Sequence, residues 1–274
     1  MASNSEFHPV SSQSWLQGFA NLVRKENHLW WRTKRWWVQT LIWWVMLTGF
    51  LAMFIWVVPS EGMDSSSEVQ IPPEVKCLMF FIRMSGLAPT IGVIILALDS
   101  ILNERLSGTM AWVLTKPVSR IAFLFSKLVS NAFGILMTMV VFQGVSVYLL
   151  ILIATGRALS IPLYTAMLGI LLLNNLFFLT LTVMLTILSN GRGLAIGVPL
   201  LIIFGFFIFA GMAPWLVDIM PWSLTTDVGP SRPTIALSMA LGQPLPTWMP
   251  VIATAVWCMI FTGIALWRFQ REEF

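Results

Sequence analysis

Five stretches of this chain contain no charged side chain: Trp36 to Ser60, Leu128 to Gly156, Ala158 to Gly191, Gly193 to Val217 and Pro233 to Trp267. A sixth, shorter one runs from Met84 to Leu98. Each long run exceeds the roughly 20 residues a helix needs to cross the hydrocarbon of a bilayer. A β-barrel would instead show ~10-residue segments of alternating polarity. Water-soluble domains do not expose such segments: 57% of the residues are apolar, 10% are charged, and the mean hydropathy is +0.82. The sequence therefore predicts an all-α integral membrane protein with six transmembrane helices, near 36–58, 78–98, 121–155, 163–188, 194–216 and 247–267. It divides into a segment 1–35, a transmembrane domain 36–267 and a tail 268–274.

Orientation follows from the distribution of cations. Of the 16 Lys and Arg residues, 12 fall on the side that carries both termini: five between Arg24 and Arg35, then Arg105, Lys116, Arg120, Lys127, Arg192, Arg268 and Arg271. The opposite side has Lys76, Arg83, Arg157 and Arg232, set among Glu61, Asp64, Glu68, Glu74, Asp218 and Asp227. The positive-inside rule then predicts a multi-pass protein of the plasma (cell inner) membrane with both termini cytoplasmic. The net charge of +4 is accounted for by this topology and by anionic headgroups, so nucleic acid is not an expected partner.

The first 35 residues open polar and reach no apolar core before Trp36, which predicts insertion without a cleaved signal peptide. Within them Trp15, Phe19, Leu22, Val23 and Trp30 recur at near-helical spacing around Arg24, Lys25 and Glu26. This predicts an amphipathic helix in the membrane interface, with Trp30, Trp31, Trp36 and Trp37 as interfacial anchors. The other reading is an unstructured tail ending in the same aromatic belt.

The chain carries no P-loop, no H-E-x-x-H and no G-x-S-x-G. Both histidines, His8 and His28, precede the first span, so no histidine pair can ligate haem within the bilayer. Cys77 and Cys258 read as apolar packing residues. No metal site and no catalytic residue is expected, and the chain does not read as an enzyme. The predicted spans contain no Glu, which argues against an ion-coupled carrier. Arg83 lies about five residues from the outer end of its span and is expected to snorkel outward.

Between the second and third spans, Ile101 to Leu114 can form a short helix with Ile101, Leu102, Leu106, Met110 and Val113 on one side, leaving Glu104, Arg105 and Ser107 for a polar partner. Pro117 would end it. The pattern suits a partner-docking helix and equally one lying on the membrane with Lys116 and Arg120 as anchors. Here the sequence resembles the permease subunits of the ABC-2 family of ATP-binding-cassette exporters. Glu104 and Arg105 match the family's charged pair, Gly108 and Thr109 its Gly-Thr, Lys116, Pro117, Ser119 and Arg120 its Lys-Pro-x-Ser-Arg, and Lys127 its downstream basic residue.

The resemblance implies a permease that binds two copies of a cytosolic ABC ATPase, with this loop as a coupling helix that acts through Glu104, Arg105, Gly108, Thr109, Lys116, Pro117 and Arg120. It also implies a second permease copy or homologue as a dimer partner. No cofactor is expected in this chain; ATP and Mg would reside in the ATPase.

Pro214, Pro221, Pro230, Pro233, Pro244, Pro246 and Pro250 crowd the region before the last span, among Trp215, Trp222 and Trp248. This predicts an extracellular element of broken helices. Gln143, Asn174 and Asn175 are polar residues within apolar spans, with Thr180, Thr182 and Thr186 further along. They either bond between helices or line a pathway. Pro89 and Pro199 are expected to kink the second and fifth spans. The function these features favour is export driven by a partner ATPase, of lipids, lipid-linked molecules, drugs or amphipathic peptides rather than small ions. The alternative is a non-transporting scaffold or a force-transmitting subunit of a larger membrane complex.

Overall fold

Long apolar stretches leave the backbone few ways to satisfy its polar groups within a bilayer, and each long run is helical over most of its described length. The computed structural model describes residues 18–57, 71–108, 118–189, 191–209, 211–227, 232–245 and 247–271. Among these, a first helix α1 (Phe19–Trp31) precedes six helices long and apolar enough to cross a membrane. These are α2 (Arg35–Trp56), α3 (Pro73–Leu106), α4 (Arg120–Thr155), α5 (Ile161–Leu188), α6 (Arg192–Phe209) and the final α10 (Met249–Gln270). Short helices α7 (Pro214–Ile219), α8 (Trp222–Thr225) and α9 (Ile235–Leu241) fill the proline-rich region between α6 and α10. With six spans between them, α1 and the last turn of α10 both meet the start of α4 at one end of the bundle, called here the near end; α7 to α9 lie at the far end.

Helix α5 is the hub. Its most apolar stretch is 78% buried, against 17% for α6 and 22% for α2 and α10. Those three peripheral helices present Trp37, Leu41, Leu201, Phe207, Ile252 and Met259 outward, the arrangement of a bundle whose outer solvent is lipid. Pro89 and Pro199 both lie inside continuous helices. Helices α2 and α4 each contain one π-helical stretch, Trp44–Gly49 and Leu136–Val141.

The second span differs from the expected 78–98. Nothing between Leu98 and Leu106 breaks a helix, although Asp99, Asn103, Glu104 and Arg105 lower its hydropathy. The helix therefore continues through them until Ser107 and Gly108, where Gly108 adopts a left-handed φ of 69°. The expected short helix beginning at Ile101 is thus corrected: Ile101 to Leu106 form the last turns of α3. At 34 residues, α3 is about 50 Å long. That exceeds a hydrocarbon core of roughly 30 Å, so its polar end extends well past it. The fifth span stops at Phe209 rather than near 216, and α10 reaches Gln270.

Candidate functional site

At the near end, α1 docks on α4 through matched positions one helical turn apart. Leu22, Glu26 and Trp30 share one buried face of α1. Facing them on α4 are Lys127, Asn131 and Gly134. Lys127 donates to Glu26 Oε1 at 3.1 Å, and Trp30 Nε1 donates to Asn131 Oδ1 at 3.2 Å. The Trp30 ring packs over Gly134, where an added Cβ would meet ring atoms at 2.6 Å. Glycine is required there by the closeness of the ring.

Glu104, from the end of α3, joins the same cluster. Its Oε1 lies 3.1 Å from Lys127 Nζ and 3.3 Å from Lys25 Nζ. Lys25 is also 3.9 Å from Glu26. Two cations and two anions from three helices thus balance. The Lys127 side chain is only 2% exposed, so its charge depends on the two carboxylates. Its ammonium also sits 5.3 Å from the Phe123 ring, which stacks on Phe269 of α10.

The neighbouring basic residues reach other helix ends. Arg105 Nη1 lies 3.5 Å from the carbonyl of Thr186, in the last turn of α5. Arg120 Nη1 donates at 2.8 Å to the carbonyl of Gln270, the last residue of α10. Helix C-terminal carbonyls carry partial negative charge and lack helical donors, so guanidinium groups suit them. The base of α3 and the start of α4 are in this way tied to α1, α5 and α10.

The residues proposed for coupling therefore divide. Glu104, Arg105 and Arg120 bond within the chain, and Gly108 ends α3. Thr109, Lys116 and Pro117 lie outside the described residues. Lys25 and Glu26 belong to the cluster without having been singled out; the signal for Glu26 was an acid in the middle of an apolar stripe. Of the aromatic anchors, Trp30 is taken up inside the protein at 2% exposure. Trp31 packs against Trp36 and Phe133, and Trp37 remains exposed.

Gln143, Asn174 and Asn175 bond between helices, while Thr180 and Thr186 donate to carbonyls of their own helix α5. Gln143, fully buried, donates from Nε2 to Thr138 O at 3.0 Å in the π-helical stretch of α4 and to Thr40 O at 3.2 Å on α2. Asn174 Nδ2 donates to Thr90 Oγ1 at 3.1 Å, and Thr90 Oγ1 lies 3.3 Å from Asn175 Oδ1, joining α3 to α5. Asn174 also borders a cavity toward the far end. At that cavity's rim Arg83, expected to snorkel outward, is half-exposed and binds Asp227. Among the described residues no group of three or more His, Cys, Asp or Glu side chains is placed to hold a metal ion.

These features define a multi-pass helical membrane protein whose ionic residues gather at the ends of its helices. A family profile described as ABC-2 family transporter protein matches residues 20–274. The chain belongs to the ABC-2 family of transporter proteins. No curated protein matches it.

Proposed function

We propose that this chain is the membrane-embedded permease subunit of an exporter driven by a separate cytosolic ATPase. The ATPase docks at the near end, on the segment that joins α3 to α4. The observation that supports this best is the Lys25–Glu26–Glu104–Lys127 cluster. A segment anchored at both its ends to α1, α5 and α10 transmits a push as rigid-body motion rather than absorbing it. The cation distribution supports a cytoplasmic near end, with α1 along the inner interface and α7 to α9 outside. Two copies of the chain, or this chain and a homologue, would pair with two ATPase subunits carrying ATP and Mg. The docking determinants are then Gly108, Thr109, Lys116 and Pro117, while Glu104, Arg105 and Arg120 hold the ends of α3 and α4 in place.

Gentle-detergent purification from the native host, with mass spectrometry and an ATPase assay, tests the reading. The expected result is a stoichiometric P-loop ATPase, released by Lys116→Glu and by Gly108→Trp while the chain itself stays folded. A preparation holding other membrane proteins and no ATPase would transfer the protein to the scaffold class.

A further inference from the structure

The far-end cavity has about 470 Å³ of space, within the roughly 300–1,000 Å³ of small-molecule sites. It lies among α3, α5, α6 and α8. Phe178, Phe204 and Phe207 supply apolar wall, Asn174 a polar contact inside, and Arg83 with Asp227 the only charges on its lining among the described residues. The walls are set by close packing. Thr225 of α8 sits so tightly on Gly86 that a Cβ there would meet Thr225 Cβ at 2.6 Å. The Trp222 indole, also on the lining, donates to Ile202 O at 2.6 Å.

The two charges differ from the near-end cluster in accessibility. Arg83 is 54% exposed and Asp227 20%. An exposed pair of this kind contributes little to folding and exchanges readily. The charge balance selects among ligands. A purely anionic headgroup taking Arg83 would leave the Asp227 carboxylate unpaired beside it, and a purely cationic one would strand Arg83. A zwitterion replaces one internal pair by two external ones.

From this we infer that the cavity binds a zwitterionic amphiphile of the phosphoethanolamine type. Its phosphate meets Arg83, its ammonium meets Asp227, and its hydrocarbon chain lies along Phe178, Phe204 and Phe207. The planar guanidinium forks onto phosphate oxygens, and the ammonium offers the donors that a carboxylate accepts. The inference is independent of the ATPase reading, since it concerns this chain alone.

The test is native mass spectrometry of the purified full-length chain in a maltoside detergent. It is titrated separately with lysophosphatidylethanolamine and with anionic lysophosphatidylglycerol of the same chain length. The native chain is expected to prefer the zwitterion. Arg83→Gln should weaken it by about tenfold or more, the usual worth of a charge-assisted hydrogen bond. Asp227→Asn should invert the preference toward the anionic lipid, because Arg83 then lacks a counter-charge. Leu87→Trp, which fills the cavity from its lining, should abolish binding of both. Equal binding of the two lipids by the native chain, an unchanged preference in Asp227→Asn, or undiminished binding in Leu87→Trp would each overturn the proposal. An unaltered thermal unfolding profile of each variant separates loss of binding from loss of fold.

Discussion

The two ends of this bundle use the same chemistry, a Lys or Arg against a carboxylate, to opposite effect. At the near end Lys127 is 2% exposed and shared between Glu26 and Glu104; at the far end Arg83 is 54% exposed and meets Asp227 alone. A buried charge has lost its water and depends on its partners, so the near-end cluster behaves as a joint. An exposed charge can trade its partner for water or a ligand at little cost, so the far-end pair behaves as a latch. Burial, more than the identity of the residues, assigns the two roles.

The largest effect that could break this contrast is Lys127→Met. It leaves two carboxylates facing each other beneath α1 with only Lys25 to serve them, and should cost about 3–5 kcal/mol. The readout is the thermal unfolding midpoint in detergent. Adding Glu26→Leu should recover part of the loss, because Glu104 keeps Lys25 at 3.3 Å; strict additivity of the two substitutions would mean that the pair is not coupled.

Next comes Gly134→Leu. It drives side-chain atoms into the Trp30 ring, at roughly 1–3 kcal/mol for overpacking, and should lift α1 from α4. Faster tryptic cleavage after Lys25 would report that release, and unchanged cleavage would mean that α1 is held by its charges alone. Smallest of all, Arg83→Gln should lower stability by no more than about 1 kcal/mol, read from the same thermal unfolding. Raising salt to 1 M, where the screening length is about 3 Å, should weaken the far-end pair and leave the near-end cluster almost unaffected. If both ends responded alike, the contrast would fail.

The spans were legible because a charge-free run of twenty residues has few other folds, and the proline cluster announced α7 to α9. The polar end of α3 was hidden for the complementary reason. Hydropathy registers what a helix is surrounded by, while continuation of the helix depends on breakers, and Asp99 to Leu106 contains none. Trp30 read as a membrane anchor because tryptophan favours interfaces. Its burial depends on Gly134, more than a hundred residues away, and no local pattern reveals that. Gln143 read as a residue that either bonds between helices or lines a pathway; its amide donates to Thr138 O in the π-helical stretch of α4 and to Thr40 O on α2, and the position of such a stretch leaves no mark in the sequence. Glu104 was singled out as matching the family's charged pair. Its direction was not legible, because Glu26 and Lys127 come from distant parts of the chain.

Glu104→Gln tests the central claim most directly, because it removes one of the joint's two negative charges without emptying the space. The measurement is the amount of ATPase that co-purifies with the chain, together with the rate of ATP hydrolysis in the complex relative to the isolated ATPase. A joint predicts that the ATPase still binds in full while stimulation of its hydrolysis by the membrane subunit is lost. If a folded Glu104→Gln chain no longer retains the ATPase, Glu104 is a docking contact; if stimulation is unchanged, the cluster transmits nothing, and either result contradicts the account.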